Sequence, residues 1–159
     1  MSLAQQAVAD LNSAQEYFNR STRNLTEEHS GLMPAPGMMT ATQQVAHAAQ
    51  TIDWFIAGAF NPSGFDVDFD AHAKVVKACT SLAAARAWFE KAMVGAKATV
   101  GSKSDAELMA PLPPGPIMGG APRMAIFGAI TDHTAHHRGA LTVYARTKGI
   151  APPMPYMDM

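Results

Sequence analysis

The segment Asp132-His133-Thr134-Ala135-His136-His137-Arg138-Gly139 places three of the chain's six histidines within five residues. Its surroundings carry the pattern of a buried helix, and an imidazole is costly to bury without a hydrogen-bonding or metal partner. His133 and His137 are four apart. On a helix that spacing stacks two side chains on one face with Cβ atoms roughly 5–6 Å apart, near enough to share a metal ion. With Ile126 as reference and about 100° per residue, Ile130, His133, His137, Leu141 and Tyr144 fall within roughly 60° of one direction. His136 lies about 80° away, toward the flank or solvent. The inward pair is therefore His133 with His137. Two readings of it stand side by side: each imidazole is neutral and bonded to its own polar neighbour in the core, or one divalent cation satisfies both.

Two histidines do not make a stable site, so a third ligand is sought elsewhere in the chain. His47 is the leading candidate, because it lies mid-helix on the Thr51 and Trp54 side, where an unpaired imidazole is hard to explain. His29, in Glu27-Glu28-His29, and His72, just after an acidic stretch, read as solvated surface residues. Three neutral imidazoles leave a coordination position open, as catalytic rather than structural zinc sites do. The pair is not the zincin motif: that motif needs glutamate directly after the first histidine, and Thr134 follows His133. Hydrolysis would then rely on the metal to lower the pKa of a water, or on a residue from another segment. Gln43 and Gln50, one turn either side of His47, read first as ordinary polar residues of a half-exposed helix, with the orienting of ligands or substrate as the functional alternative. Cys79, with no base defined near it, reads as a small buried thiol.

The elements that must position these residues are helical. From Leu3 to about Asn24, the residues Leu3, Ala7, Leu11, Ala14 and Phe18 share an arc of roughly 80°, a single core-facing stripe. A loop with Gly31, Pro34, Pro36 and Gly37 follows, and Thr40 or Thr42 offers the N-cap of a helix to about Gly58. This second helix is apolar on most sides and must be buried between neighbours or against a second subunit. Asp66, Asp68 and Asp70 superficially suggest a calcium loop, but the sixth and twelfth places counted from Asp66 hold Ala71 and Lys77 instead of glycine and glutamate. An exposed acidic loop is the expectation there. A third helix runs from Thr80 or Ser81 to Val100 with Leu82, Ala85, Phe89, Met93 and Ala96 as its stripe. Between Gly101 and Pro122 the chain is rich in proline and glycine, an irregular cover with one helical turn at Asp105 to Met109. Pro122 suits the first turn of the last helix, which Gly149 ends near Lys148, and Ala151 to Tyr156 is an extended arm. The fold class is all-α, four long helices in one domain over residues 1–159.

Composition bounds the function. Twelve Lys and Arg nearly cancel thirteen Asp and Glu, and only 16% of residues are charged, so the dense positive field that phosphate backbones require is missing. A nucleic-acid partner is not expected. Cys79 is the only cysteine, which excludes an intrachain disulfide or a cysteine-rich zinc site and fits a reducing compartment. The first ten residues have no basic region before an apolar core, and no window approaches eighteen consecutive apolar residues. The expectation is a cytoplasmic protein with neither signal peptide nor membrane span.

Three stretches together carry a family resemblance: Pro34-Ala35-Pro36-Gly37-Met38-Met39-Thr40 leading into the helix of His47, then Asp132 to Leu141, then Gly149-Ile150-Ala151-Pro152-Pro153. Across nearly its whole length the chain resembles the DinB-like family of metal-binding four-helix bundles. The resemblance implies an up-down-down-up bundle in which His47, His133 and His137 hold a divalent metal ion, zinc or nickel, with water in the remaining position. It further implies a homodimer, and an activity as a thiol-dependent transferase using a low-molecular-weight thiol or as a metal-dependent hydrolase. A non-catalytic bundle with a structural metal is the alternative. A thiol cofactor needs cationic groups near the metal for its carboxylates, and Arg138 is the candidate close in sequence. The substrate, a small molecule, is not named by the residues.

Overall fold

The computed structural model describes residues 1–157 and is all-helical there apart from one isolated β-bridge. Six α-helices follow in order: α1 Leu3–Thr22, α2 Ala41–Phe60, α3 Phe69–Ala78, α4 Leu82–Gly101, α5 Asp105–Met109 and α6 Ala125–Thr147. Capping residues set most of the starts. The Thr40 hydroxyl accepts the Gln43 backbone N–H at 3.1 Å while the Gln43 side chain accepts the Thr40 N–H at 3.0 Å, a reciprocal box that begins α2. Ser2 with Gln5 and Ser104 with Glu107 do the same for α1 and α5. At α4 the Ser81 hydroxyl accepts the Ala84 N–H, and the Glu27 carboxylate reaches in to accept those of Leu82 and Ala83. Those bonds, the one to Ala83 foremost, hold the Glu27 carboxyl below its usual range.

The four long helices form a bundle in which α2 packs on α4 and α6, and α1 packs on the same two from the other side. Leu11, Phe18, Ile52, Phe89, Ile130 and Leu141 are among the buried residues that meet at its centre, with the rings of Phe18 and Phe89 stacked at 4.3 Å. Buried alanines at 41, 46, 48, 49 and 59 let α2 lie close to its neighbours. The apolar girth of α2 is thus covered within the chain by α4, α6 and α3 and gives no argument for a second subunit.

Three expectations are corrected. The acidic stretch is not only a loop: Asp68 accepts the Ala71 N–H at 2.9 Å and caps α3, a helix not expected there, while Asp66 accepts the Asp68 N–H. These aspartates bond to backbone, which is what short acids before a helix do. The last helix starts at Ala125 rather than Pro122, because the N–H groups of Arg123 and Met124 are tied to the carbonyls of Ala110 and Leu108, and Pro122 is bridged to Pro111. The first helix stops at Thr22, where the Arg86 guanidinium takes the Thr22 and Leu25 carbonyls. The C-terminal arm lies along α1, with Asn24 donating to the Ala151 carbonyl and Arg20 to that of Pro155.

Candidate metal centre

Mid-bundle, α2 brings His47 opposite His133 and His137 on α6. One nitrogen from each of the three imidazoles lies within 4.8 Å of the others, so the group could hold a metal ion. The Nε2 atoms of His133 and His137 are 3.2 Å apart, and the His47 ring stands 5.0 Å from each of theirs, steeply inclined to both. Two imidazole nitrogens bound to one ion at about 2.0–2.1 Å sit roughly 3–3.4 Å apart, so the spacing of the α6 pair fits a shared cation.

A chain of hydrogen bonds decides which nitrogen of His137 is free. The Met39 carbonyl can only accept, so the Tyr144 hydroxyl donates to it, at 2.8 Å. The Tyr144 oxygen then accepts from the Gln44 side-chain NH₂ at 3.2 Å, which turns the Gln44 oxygen toward Nδ1 of His137. That oxygen needs an N–H, so neutral His137 carries its proton on Nδ1 and directs the Nε2 lone pair at His133 and His47. Gln44, His137 and Tyr144 are all buried, so the relay is shielded from water.

Burial also sets the charge state. It pushes His137 down to about 3, with the imidazoles of His133, His47 and His136 adding to the effect. His133 falls to about 4 for the same leading reason, and His47 is lowered by burial against a partly opposing hydrogen bond from Gln50. At neutral pH all three are uncharged and carry lone pairs, the form in which imidazole binds a metal.

The cluster opens on a cavity of about 350 Å³ between α2 and α3. His47 and His133 stand in its wall, Trp54, Phe55 and Phe69 supply apolar surface, and Gln43, Gln50, Thr51, His72 and Lys77 are its other polar members. Trp54 donates to the Asp66 carbonyl at 2.6 Å and packs on Phe65 and Phe69, which anchors α3 against α2.

The three histidines singled out from sequence are thus brought together, and His136 is exposed as its helical phase requires. His29 lies elsewhere, accepting the Thr26 backbone N–H. His72 is a correction: it is a half-buried wall of the cavity beside Asp66, although outside the cluster. Gln50 does engage His47, while the Gln43 side chain is spent on its helix cap. Cys79 sits at the end of α3, its thiol toward the Ser81 carbonyl and outside the cavity. Arg138 faces away, its guanidinium 5.8 Å from the Tyr17 ring and 5.9 Å from that of Tyr156. The cation lining the cavity is Lys77, on a helix that sequence reading had missed. Gln44 was missed too; a glutamine in the buried phase of an otherwise apolar helix was the available signal.

Comparison with known proteins adds a family. The model of the DinB superfamily matches residues 10–141, a span that includes all three histidines. Among solved structures, a DinB-like protein from Bacillus cereus ATCC 10987 superposes with a TM-score of 0.66 at 22% identity, covering 95% of this chain and 93% of that one. At that identity the likeness speaks for the fold. No curated protein matches the sequence.

Proposed function

Since the chain belongs to the DinB superfamily, we propose that it is a metal-dependent enzyme, a thiol-dependent transferase or a hydrolase, holding one zinc or nickel ion on His47, His133 and His137. The observation that carries this reading is the convergence of three neutral imidazoles, within 4.8 Å of one another, two of which, His47 and His133, stand in the wall of an apolar cavity. Imidazole nitrogen suits both metals. When bound, such an ion supplies a Lewis acid that lowers the pKa of a coordinated thiol or water.

The rest of the work belongs to the chain's own residues. Gln44 holds the His137 ring in one tautomer and one orientation. Gln50 steadies His47. Trp54, Phe55 and Phe69 keep water from the cavity and receive the apolar part of a small-molecule substrate. Lys77 offers a cation in the same cavity to a carboxylate of a low-molecular-weight thiol. Among the described residues no carboxylate lines the cavity, so in a hydrolytic reaction the general base would be the imidazole of His72, which stands in the wall outside the ligand set.

Metal analysis of untagged protein tests the site: one ion per chain is expected, lost in His133→Ala. Absence of stoichiometric metal, together with unchanged stability on chelation, overturns it. Thiol transfer to electrophiles and ester or amide hydrolysis are then screened with the metal-loaded protein. The activity found is expected to vanish in His47→Ala, and activity that survives there counts against a catalytic ion. Full metal occupancy with no turnover, and lower stability on chelation, supports instead an ion that only ties α2 to α6. The homodimer implied by the resemblance is proposed alongside, with sedimentation equilibrium as its test. A net charge of −1 and the lack, among the described residues, of a helix long and apolar enough to cross a membrane accord with a small-molecule partner.

A further inference from the structure

The end of the cavity away from the imidazole cluster is built from rings. Trp54, Phe55 and Phe69 line it, and Phe65 packs on Trp54 at 4.8 Å from outside the lining. Trp54 meets Phe55, Phe65 and Phe69 at inclinations of 61°, 56° and 58°. None of the three lies flat on the indole, which is the contact a planar guest makes. Phe69 is 56% exposed although it packs on Trp54 and on His72. A ring bare over half its area beside an apolar cavity is surface that a bound guest takes out of water.

The polar groups of the cavity are largely committed. The Gln43 side-chain oxygen accepts the Thr40 N–H, Gln50 bonds His47, and His47 and His133 are the neutral imidazoles of the metal centre. Lys77, the one lining residue with a permanent charge at neutral pH, is exposed in the last turn of α3. A charge carried in between the rings would lose its water and find no partner there, so the body of the guest is neutral. Length is set by α2. His47 and Trp54 are seven residues apart on that helix, about 10 Å along its axis at 1.5 Å per residue. A guest that covers Trp54 and reaches the imidazoles spans that distance, as a fused pair of rings or one ring with a short arm does.

We propose that the substrate of this site has an uncharged aromatic body, held flat against Trp54 and beside Phe69, with its reactive end at the imidazole cluster. This rests on the proposed metal-dependent reading in taking the cavity as the substrate site. Phe69 acts as a specificity-determining residue, and Lys77 is left to the thiol.

The test is a binding titration of the full chain as purified with zinc, at constant ionic strength, followed through the two tryptophan indole N–H signals in a two-dimensional NMR spectrum. Trp54 lines the cavity, whereas Trp88 donates to Asp53 outside it and serves as internal control. The probes are 2-naphthalenemethanol, its fully saturated counterpart, and 2-naphthalenesulfonate, an anion that is a poor metal ligand. The saturated alcohol has at least as much apolar surface, so burial of area alone would favour it. The expected result is a saturable shift of Trp54 with Trp88 still, and the naphthyl alcohol about two- to tenfold tighter than the saturated one. Phe69→Leu, at a half-bare position that the fold does not need, is expected to erase most of that preference while zinc content stays unchanged. Equal or tighter binding of the saturated alcohol overturns the proposal, as does tighter binding of the sulfonate or an unchanged preference in Phe69→Leu. Movement of the Trp54 signal on dilution alone also overturns it, because a second copy of the chain would then fill the cavity. Zinc content and turnover are measured separately. Failure of the naphthyl preference with zinc retained refutes the aromatic substrate and leaves the metal-dependent reading, whereas a chain that binds the naphthyl alcohol but no zinc refutes that reading instead.

Discussion

Replacing Gln44 by methionine keeps the length of the side chain and removes both of its hydrogen-bonding ends. The Tyr144 hydroxyl retains the Met39 carbonyl, so the loss falls on His137, whose Nδ1–H is left without an acceptor in a residue only 5% exposed. An orphaned buried donor costs about 1–3 kcal/mol, of which the methionine recovers a part by packing. The larger effect is on orientation. Without the bond the ring turns about χ2 and its Nε2 no longer points steadily at the other two imidazoles, and loss of such an outer partner lowers metal affinity by about 10–100-fold. That corresponds to roughly 1.4–2.7 kcal/mol. Competition against a chromogenic chelator at fixed pH measures the affinity, and urea unfolding of chelated protein measures the stability. Gln44→Glu is the control: its carboxylate still accepts the Nδ1–H, and affinity is expected to stay above that of the methionine variant. If Gln44→Met binds metal within about twofold of the wild type, the ring is held by packing and the relay from Met39 through Tyr144 has no role in the site.

Other perturbations address the charge state and the scaffold. Between pH 6.5 and about 4 the unfolded chain, with ordinary imidazoles, takes up protons that folded His133 and His137 refuse, so metal-free stability is complete above about pH 7 and is lost as the pH falls. For buried His137 the loss by pH 5 is at most about 2 kcal/mol, and a urea midpoint that does not drop between pH 7.5 and 5 contradicts it. A Cβ on Gly58 would overlap the Phe65 ring, so Gly58→Ala forces the loop before α3 to move. A cost of about 1–3 kcal/mol is expected in thermal unfolding, and an unchanged Tm argues that the loop yields freely. Asp68→Ala removes the cap of α3 and should cost about 1 kcal/mol locally, seen as faster amide exchange at Ala71 and its neighbours with α2 and α4 unchanged. Exchange that spreads to α4 would show that α3 is part of the cooperative core.

What could be read from the chain alone was governed by short-range rules. The 3.6-residue period separated His133 and His137 from His136, and the Thr40 and Ser81 caps began α2 and α4 close to where expected. Composition bounded the function without reference to any fold. Errors of extent arose where a distant partner intervened, as at Pro122, whose neighbours bond to the α5 segment, or at Asp68, read as a loop acid although it is a cap. The convergence of His47 with the α6 pair, the tautomer of His137, the face taken by Arg138 and the cavity between α2 and α3 are matters of tertiary structure. Gln44 and His137 are 93 residues apart, and no local periodicity records that their side chains meet. Local sequence determines which face of a helix is apolar and where the helix begins; which polar groups are buried together depends on how those faces dock, and only the packed bundle decides that.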